Sequence, residues 1–367
     1  MTPLPLERFP LLDPAEAGSP PWDLLAPPPP VPLPSSCDIV VVGAGLTGLS
    51  AAARCAADGA RVVVVDRAFG TGATARSGGV VLGETVEGPH PEFDGCERTL
   101  RTWIHQSGAD CDLRWRGCLE LVRDARLTTA AVDWCDEGTI RLARRVSGGV
   151  LNPARLLAAL YQAASIARAT IANGVTVTNV MREGDGIQIV TDKGSMTARA
   201  GIMGVDALCW RHEFDPWRER VMTVSLQTGP ISHEQLTALG LQPDEAFYTV
   251  DTPLLWGRVM PDQSLLIGRE TRPFPAQPQA RMPHAGLVEA GARLIERVRG
   301  LHPALASIER RRLWTGPLAR TAEGYPTLAA DPFVPALVWA GGYGGQGIAQ
   351  AFTLGWKAAE RILNSEL

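Results

Sequence analysis

The sequence predicts an α/β chain: a parallel sheet covered by helices, joined to an α+β second domain built on antiparallel strands. Three observations carry this. The apolar run Ile39–Val42 enters a glycine turn and a helical stretch, and a second run, Arg61–Val65, ends on Asp66. A buried-strand pattern at Ala336–Ala340 enters another glycine turn, 341–347, and a helical stretch from Ile348 to Leu363. Between them, Val175–Val180, Gly186–Val190 and runs within 221–270 alternate as antiparallel strands do.

The first turn reads Gly43-Ala-Gly45-Leu46-Thr47-Gly48. Gly43 permits the tight exit from the strand, Gly45 lets backbone approach a pyrophosphate, and Gly48 lets the helix lie close on the strand. The helix, from about Leu46 to Asp58, aims its N-terminal amides at the phosphates, and Gly59 stops it. Asp66 follows Gly43 by 23 residues, against the roughly 20 expected of a ribose-binding carboxylate. A carboxylate here repels a 2′-phosphate, which disfavours NADP. A bound dinucleotide follows, but this fingerprint does not separate FAD from NAD.

Composition sets limits. The 367 residues allow two domains, and a net charge of −4 gives no reason to expect nucleic acid or an anionic membrane as partner. No apolar run approaches a membrane span, and the N-terminus lacks the pattern of a secretory signal. The seven cysteines have no C-x-x-C pair, so a disulfide framework or metal site is not expected. A cytoplasmic location fits.

Along the chain, residues 1–36 are proline-rich, with four prolines at 27–30, and read as an extended arm on the body or on a partner. Gly70 to Gly79 is a small-residue loop. Asn152 caps a helix whose first residue is Pro153 and whose apolar face is Leu156, Leu157 and Leu160. Another helix is expected from about Ala285 to Arg299. The expected division is the arm at 1–36, a cofactor-binding domain from 37–90, 146–210 and 310–367, and a substrate or cap domain from 91–145 and 211–309.

These segments together resemble the FAD-dependent amine and amino-acid oxidases of the D-amino-acid oxidase superfamily, and most closely its gamma-glutamylputrescine oxidoreductase-like branch, with glycine oxidase-like enzymes nearby. The matching stretches are Gly72-Ala-Thr74-Ala75-Arg76-Ser77-Gly78-Gly79, Gly149-Val-Leu-Asn-Pro-Ala-Arg-Leu156, Trp314-Thr-Gly316 with Thr321 to Pro326, and Gly342-Tyr343-Gly344-Gly345-Gln346-Gly347. The chain departs from the pattern at Ser77 (usually Asn), Gln346 (commonly His) and Asp206 in Gly204-Val-Asp-Ala207. Leu318 stands where amino-acid oxidases carry a carboxylate-binding arginine, which argues against a simple D-amino acid. The 119–150 segment looks shorter than usual, which implies a reduced cap.

The resemblance implies a Rossmann-like FAD-binding domain of the glutathione-reductase type with an antiparallel-sheet substrate domain, and non-covalent FAD. Its cofactor-binding set is Gly43, Gly45, Leu46, Thr47, Gly48, Asp66, Arg67, Thr74, Ala75, Arg76, Ser77, Gly78, Gly79, Val177, Asp206, Gly342, Gly344, Gly345, Gln346, Gly347 and Ile348. The helix at Ile348 would point its positive end at the N1–C2=O edge of the flavin. The implied reaction oxidises a C–N bond of an amine or amino-acid derivative, by hydride transfer to flavin N5. The catalytic or substrate-side candidates are Arg258, as an anion anchor, and Trp256 and Tyr343, as aromatic walls; Tyr248 and Tyr325 rank below them. Each has a bland alternative, a structural ion pair for Arg258 and plain core for the aromatics. Two other readings stay open: a non-catalytic flavin-binding subunit serving a partner or a protein electron acceptor, and an NAD-dependent dehydrogenase.

Overall fold

A computed structural model describes residues 6–8, 17–23, 26–85, 87–127, 131–211, 214–273 and 284–364. The rest of the proline-rich arm, at 1–5, 9–16 and 24–25, lies outside the described residues.

The first sheet runs in the order Val177–Glu183, Gly186–Thr191, Gly194–Met203, Ser36–Val42, Val62–Asp66, Thr170–Asn173. Its centre is parallel: Ser36–Val42 pairs with Gly194–Met203 on one side and Val62–Asp66 on the other. Leu337–Gly341 also pairs in parallel with Gly194–Met203 and carries Thr327–Ala330 antiparallel on its far side. These parallel strands are nearly continuous apolar runs because both faces are covered. Among the covering helices are α1 (Leu46–Ala57), α2 (Cys96–Ser107) and α3 (Pro153–Ile166). The Asn152 side chain caps α3 by accepting from the Ala154 and Arg155 amides, as its sequence predicts.

The second sheet runs in the order Arg310–Arg320, Glu219–Pro230, Ser264–Pro273, Trp256–Val259, Ala246–Thr249, Cys118–Val122, Thr139–Val146, Trp134–Cys135. It is antiparallel except where Ala246–Thr249 meets Cys118–Val122. The short helix α4 (His233–Ala238) and the longer α5 (His284–Leu301) accompany it, with Leu287, Leu294 and Val298 of α5 in a core shared with Val224, Leu226 and Ile267. The stretch 310–320, grouped above with the cofactor-binding segments, is an edge strand of this second sheet. The edge position explains how Pro317 is tolerated, since its missing amide leaves no central ladder bond unmade.

The last helix, α6 (Gly347–Asn364), packs against α1. A Cβ on Gly355 would fall on the Thr47 carbonyl, and the Ser50 hydroxyl donates to Phe352 O at 2.7 Å, so the two helices touch backbone to backbone. No described helix is long and apolar enough to cross a membrane.

The arm is tied to the body. Leu6–Arg8 pairs antiparallel with Cys209–Arg211, and Gly18 bridges to Trp314. Arg211 and Asp331 form a fully buried ion pair, Nε to Oδ2 at 2.7 Å. Asp331 also accepts from Trp339 Nε1 and from the amides of Phe333 and Val334. Removing one partner of such a pair strands a buried charge. Asp331→Ala is therefore expected to cost ~3–5 kcal/mol in chemical denaturation. A loss below about 1 kcal/mol, the size of a surface pair, would contradict this account.

Candidate functional site

The strand Ser36–Val42 delivers the first glycine turn against the end of Val62–Asp66, and Gly43 N donates to Val65 O at 2.8 Å. Gly43 has φ +102°, and a Cβ there would sit 2.9 Å from the Gly204 carbonyl. A Cβ on Gly48 would fall on the Gly43 carbonyl itself, so the helix-to-turn contact requires glycine. Asp66 folds back on the turn: Oδ2 accepts from Ala44 N at 2.6 Å and Oδ1 from Ala68 N at 2.7 Å. Burial pushes its pKa up, and these two amides oppose that. Each oxygen keeps a second lone pair for a donor in the cleft.

That cleft encloses about 590 Å³ of empty space open to solvent, and Leu6, Asp66, Arg67, Val177, Val205 and Cys209 are among its walls. Leu6 is a contribution of the arm. Thr74 meets the start of α1, with Leu46 N donating to its Oγ1 at 3.2 Å.

The loop from Thr74 to Gly79 is held from behind. Arg76 is buried, its guanidinium donating to Thr315 O and, at 2.7 and 2.6 Å, to Ala17 O and Gly18 O. Burial lowers its pKa to about 10. Its side chain is thus a strut between loop, arm and second sheet, whereas the sequence reading placed it with the cofactor ligands. Arg258 also differs from its expected part as a substrate anchor. It is 3% exposed, and its Nη1 donates to Leu151 O at 2.7 Å and to Gly78 O and Gly79 O at 3.3 Å. Desolvation lowers its pKa to about 10, and its guanidinium lies 5.6 Å from the centre of the Trp22 ring. Trp22 Nε1 in turn donates to Ser77 O at 2.9 Å. Trp256 packs on the loop from the other side, where a Cβ on Gly78 would enter its ring.

The second glycine turn joins the first. Gly342, Gly344 and Gly345 have φ of +82°, +61° and +99°. Asp206, itself at φ +46°, accepts from Gly342 N at 2.7 Å. The Tyr343 hydroxyl meets Thr47 Oγ1 at 2.6 Å, and burial raises its pKa. Tyr343, expected as a substrate wall, therefore ends on the first glycine turn. Leu318 faces Gly345, its Cδ2 lying 3.5 Å from where a Cβ would stand. Ile348 is buried in the first turn of α6, directly after Gly347.

Three buried polar atoms along this path lack a hydrogen-bond partner: Ser77 Oγ, Arg258 Nε and Gln346 Oε1. Buried polar groups are nearly always paired. Orphans on the two loops that flank one region, beside a cleft on the dinucleotide turn, fit a long ligand with polar edges. Residues 38–361 match the family described as DAO, FAD dependent oxidoreductase. The chain belongs to this DAO family. It is an FAD-dependent oxidoreductase, and the residues present fit that cofactor.

Relatives of the DAO enzyme agree. A "probable oxidoreductase OrdL" of Rhizobium meliloti (strain 1021) is 24% identical, over 89% of this chain and 83% of the relative. Glycine oxidase from Geobacillus kaustophilus is similar in structure, with a TM-score of 0.72 and 19% identity over 91% of this chain and 96% of that one. L-amino acid deaminase from Proteus myxofaciens has a TM-score of 0.73 at 13% identity, over 95% of this chain and 94% of that one. At such identities the structures show the fold.

Sequence reasoning missed Trp22, Gln350 and the side chains gathered around Tyr248, namely Glu84, Glu120 and Arg144. Only Trp22 had a signal: an indole in a proline-rich arm is out of place unless something buries it.

Gly48→Ala should lower FAD affinity about tenfold or more, equivalent to ~1.4 kcal/mol. Flavin absorbance per protein after gel filtration reads this directly, and full retention would refute the close-approach argument.

Proposed function

We propose that the enzyme oxidises the C–N bond of an amine or amino-acid derivative to an imine. The observation that carries this is the joined pair of glycine turns, Thr47 to Tyr343 and Asp206 to Gly342, with unpaired polar atoms at 77 and 346. It supports a flavin whose reactive end lies against the second turn. The names of the similar structures, glycine oxidase, L-proline dehydrogenase and L-amino acid deaminase, all describe substrates with nitrogen on the reacting carbon.

FAD, when bound, supplies a two-electron acceptor for the hydride that leaves the carbon beside nitrogen. The nitrogen lone pair closes the C=N bond, the nitrogen loses a proton, and water hydrolyses the imine. The chain's own contribution is electrostatic and steric. The helix α6 has no acidic residue in its first turn, so its unpaired amides and dipole favour negative charge at the second glycine turn. Leu318 and Trp256 present apolar surface near the two loops, which excludes water from the reacting carbon. An amine in its free-base form is required, since only a nitrogen lone pair can drive hydride departure. The commitment of Arg258 to carbonyls, and Leu318 at the second turn, favour an amine over a simple α-amino acid.

Anaerobic mixing with a panel of amines and amino acids tests this. Bleaching of the visible flavin band is expected with at least one amine, faster as pH rises through the amine's own pKa. An unchanged spectrum across primary, secondary and tertiary amines would overturn the proposal. Gly345→Val, at φ +99° where a branched residue is strained, should abolish flavin retention or bleaching.

A further inference from the structure

We infer that Glu84, Glu120, Tyr248 and Gln350 form a cation subsite, and that the substrate is an amine carrying a second, positively charged nitrogen. The second clause rests on the amine-oxidation reading; the subsite itself does not.

Tyr248 and Glu120 are register partners on adjacent parallel strands, and Arg144 is the register partner of Glu120 on its other side. The Tyr248 hydroxyl lies 3.0 Å from Glu120 Oε2 and 3.3 Å from Glu84 Oε2. Arg144 reaches both carboxylates, donating from Nε to Glu120 Oε1 at 2.8 Å, and from Nη2 to Glu120 Oε2 at 2.6 Å and to Glu84 Oε1 and Oε2 at 2.8 and 2.9 Å. The nearby Glu97, whose carboxylate lies against Gly83, pairs with Arg98.

The cluster is short of one positive charge. One guanidinium serves two carboxylates, and one phenolic proton faces two carboxylate oxygens but can bond to only one of them. The carboxylate side chains are mostly buried, at 15% exposure for Glu84 and 11% for Glu120, while Arg144 is 48% exposed and forms the solvent side. Uncompensated charge at such burial is unfavourable.

Gln350 supplies the independent sign of a ligand. It is fully buried on the first turn of α6, and its Nε2 donates to the Glu84 carbonyl. A carbonyl can only accept, which fixes the amide's orientation. Its Oε1 is left buried without a donor. Two carboxylates and an orphan amide oxygen together call for a group that is both cationic and rich in N–H.

Placement links the cluster to the reaction. Glu84 lies just beyond the strand Val80–Leu82 that follows the small-residue loop, Gln350 lies in the first turn of α6 after the second glycine turn, and the hydrogen bond between them joins the two segments. Carboxylates favour the ammonium form, which cannot lose hydride. The cluster therefore holds the charge that does not react and leaves the free-base nitrogen to the flavin.

The test compares diaminobutane, butylamine and aminobutyrate, which share a carbon count, on the FAD-loaded enzyme. Binding is read by calorimetry and flavin reduction by anaerobic bleaching. Diaminobutane should bind roughly ten- to hundredfold tighter than butylamine, the range for a hydrogen bond to a charged group. Glu84→Gln and Glu120→Gln should each erase that preference while leaving butylamine binding within about twofold. Equal wild-type binding of diaminobutane and butylamine, tighter binding of aminobutyrate, or a preference surviving both substitutions would overturn the subsite. Preferred binding of diaminobutane with no bleaching by any amine would sustain the subsite and defeat the oxidation reading. If either variant fails to fold, the wild-type comparison still decides.

Discussion

The guanidinium groups of Arg76 and Arg258 are buried, and the hydrogen bonds described for them end on main-chain carbonyls: Thr315, Ala17 and Gly18 for one, Gly78, Gly79 and Leu151 for the other. Burying an ion costs several kcal/mol, so such groups persist only where many dipoles converge on them. Here the dipoles come from the arm, the small-residue loop, the approach to α3 and an edge strand of the second sheet. Trp22 adds its ring to Arg258 and its indole donor to Ser77. The loop from Thr74 to Gly79 therefore has no position of its own; it stands where two cations and an indole hold it.

The same economy joins the two glycine turns. Thr47 with Tyr343, and Asp206 with Gly342, are single hydrogen bonds between segments 296 and 136 residues apart. They fix the distance between the two glycine turns. Asp206 accomplishes this at φ +46°, a strain that aspartate tolerates better than most residues.

Much of this was legible in the sequence because it repeats local rules. The turn at 43–48, the cap at Asn152, the acid at 66 and the paired strand, turn and helix at 337–364 each follow from neighbours in the chain. The parts that were not legible depend on distant backbone. Arg258 looks like an anion anchor until the carbonyls of 78, 79 and 151 surround it, and carbonyls leave no mark in a sequence. Tyr343 looked like a substrate wall because its partner, Thr47, belongs to a turn that was already explained. That strand 310–320, grouped by sequence with the cofactor-binding segments, pairs in the second sheet was not legible either, because hydropathy reports burial but not which neighbour provides it.

The arm has a consequence for the order in which the molecule is completed. Gly18 and Trp22 settle against Trp314, which follows them by almost 300 residues. The small-residue loop between them in sequence is held by residues from both sides, Ala17, Gly18 and Trp22 before it and Thr315 after it. Contacts so distant in sequence close late, whereas the turn at 43–48 rests on neighbours in the chain. A chain truncated before residue 314 would carry the glycine fingerprint without the Trp314 and Thr315 contacts that anchor Trp22 and Arg76.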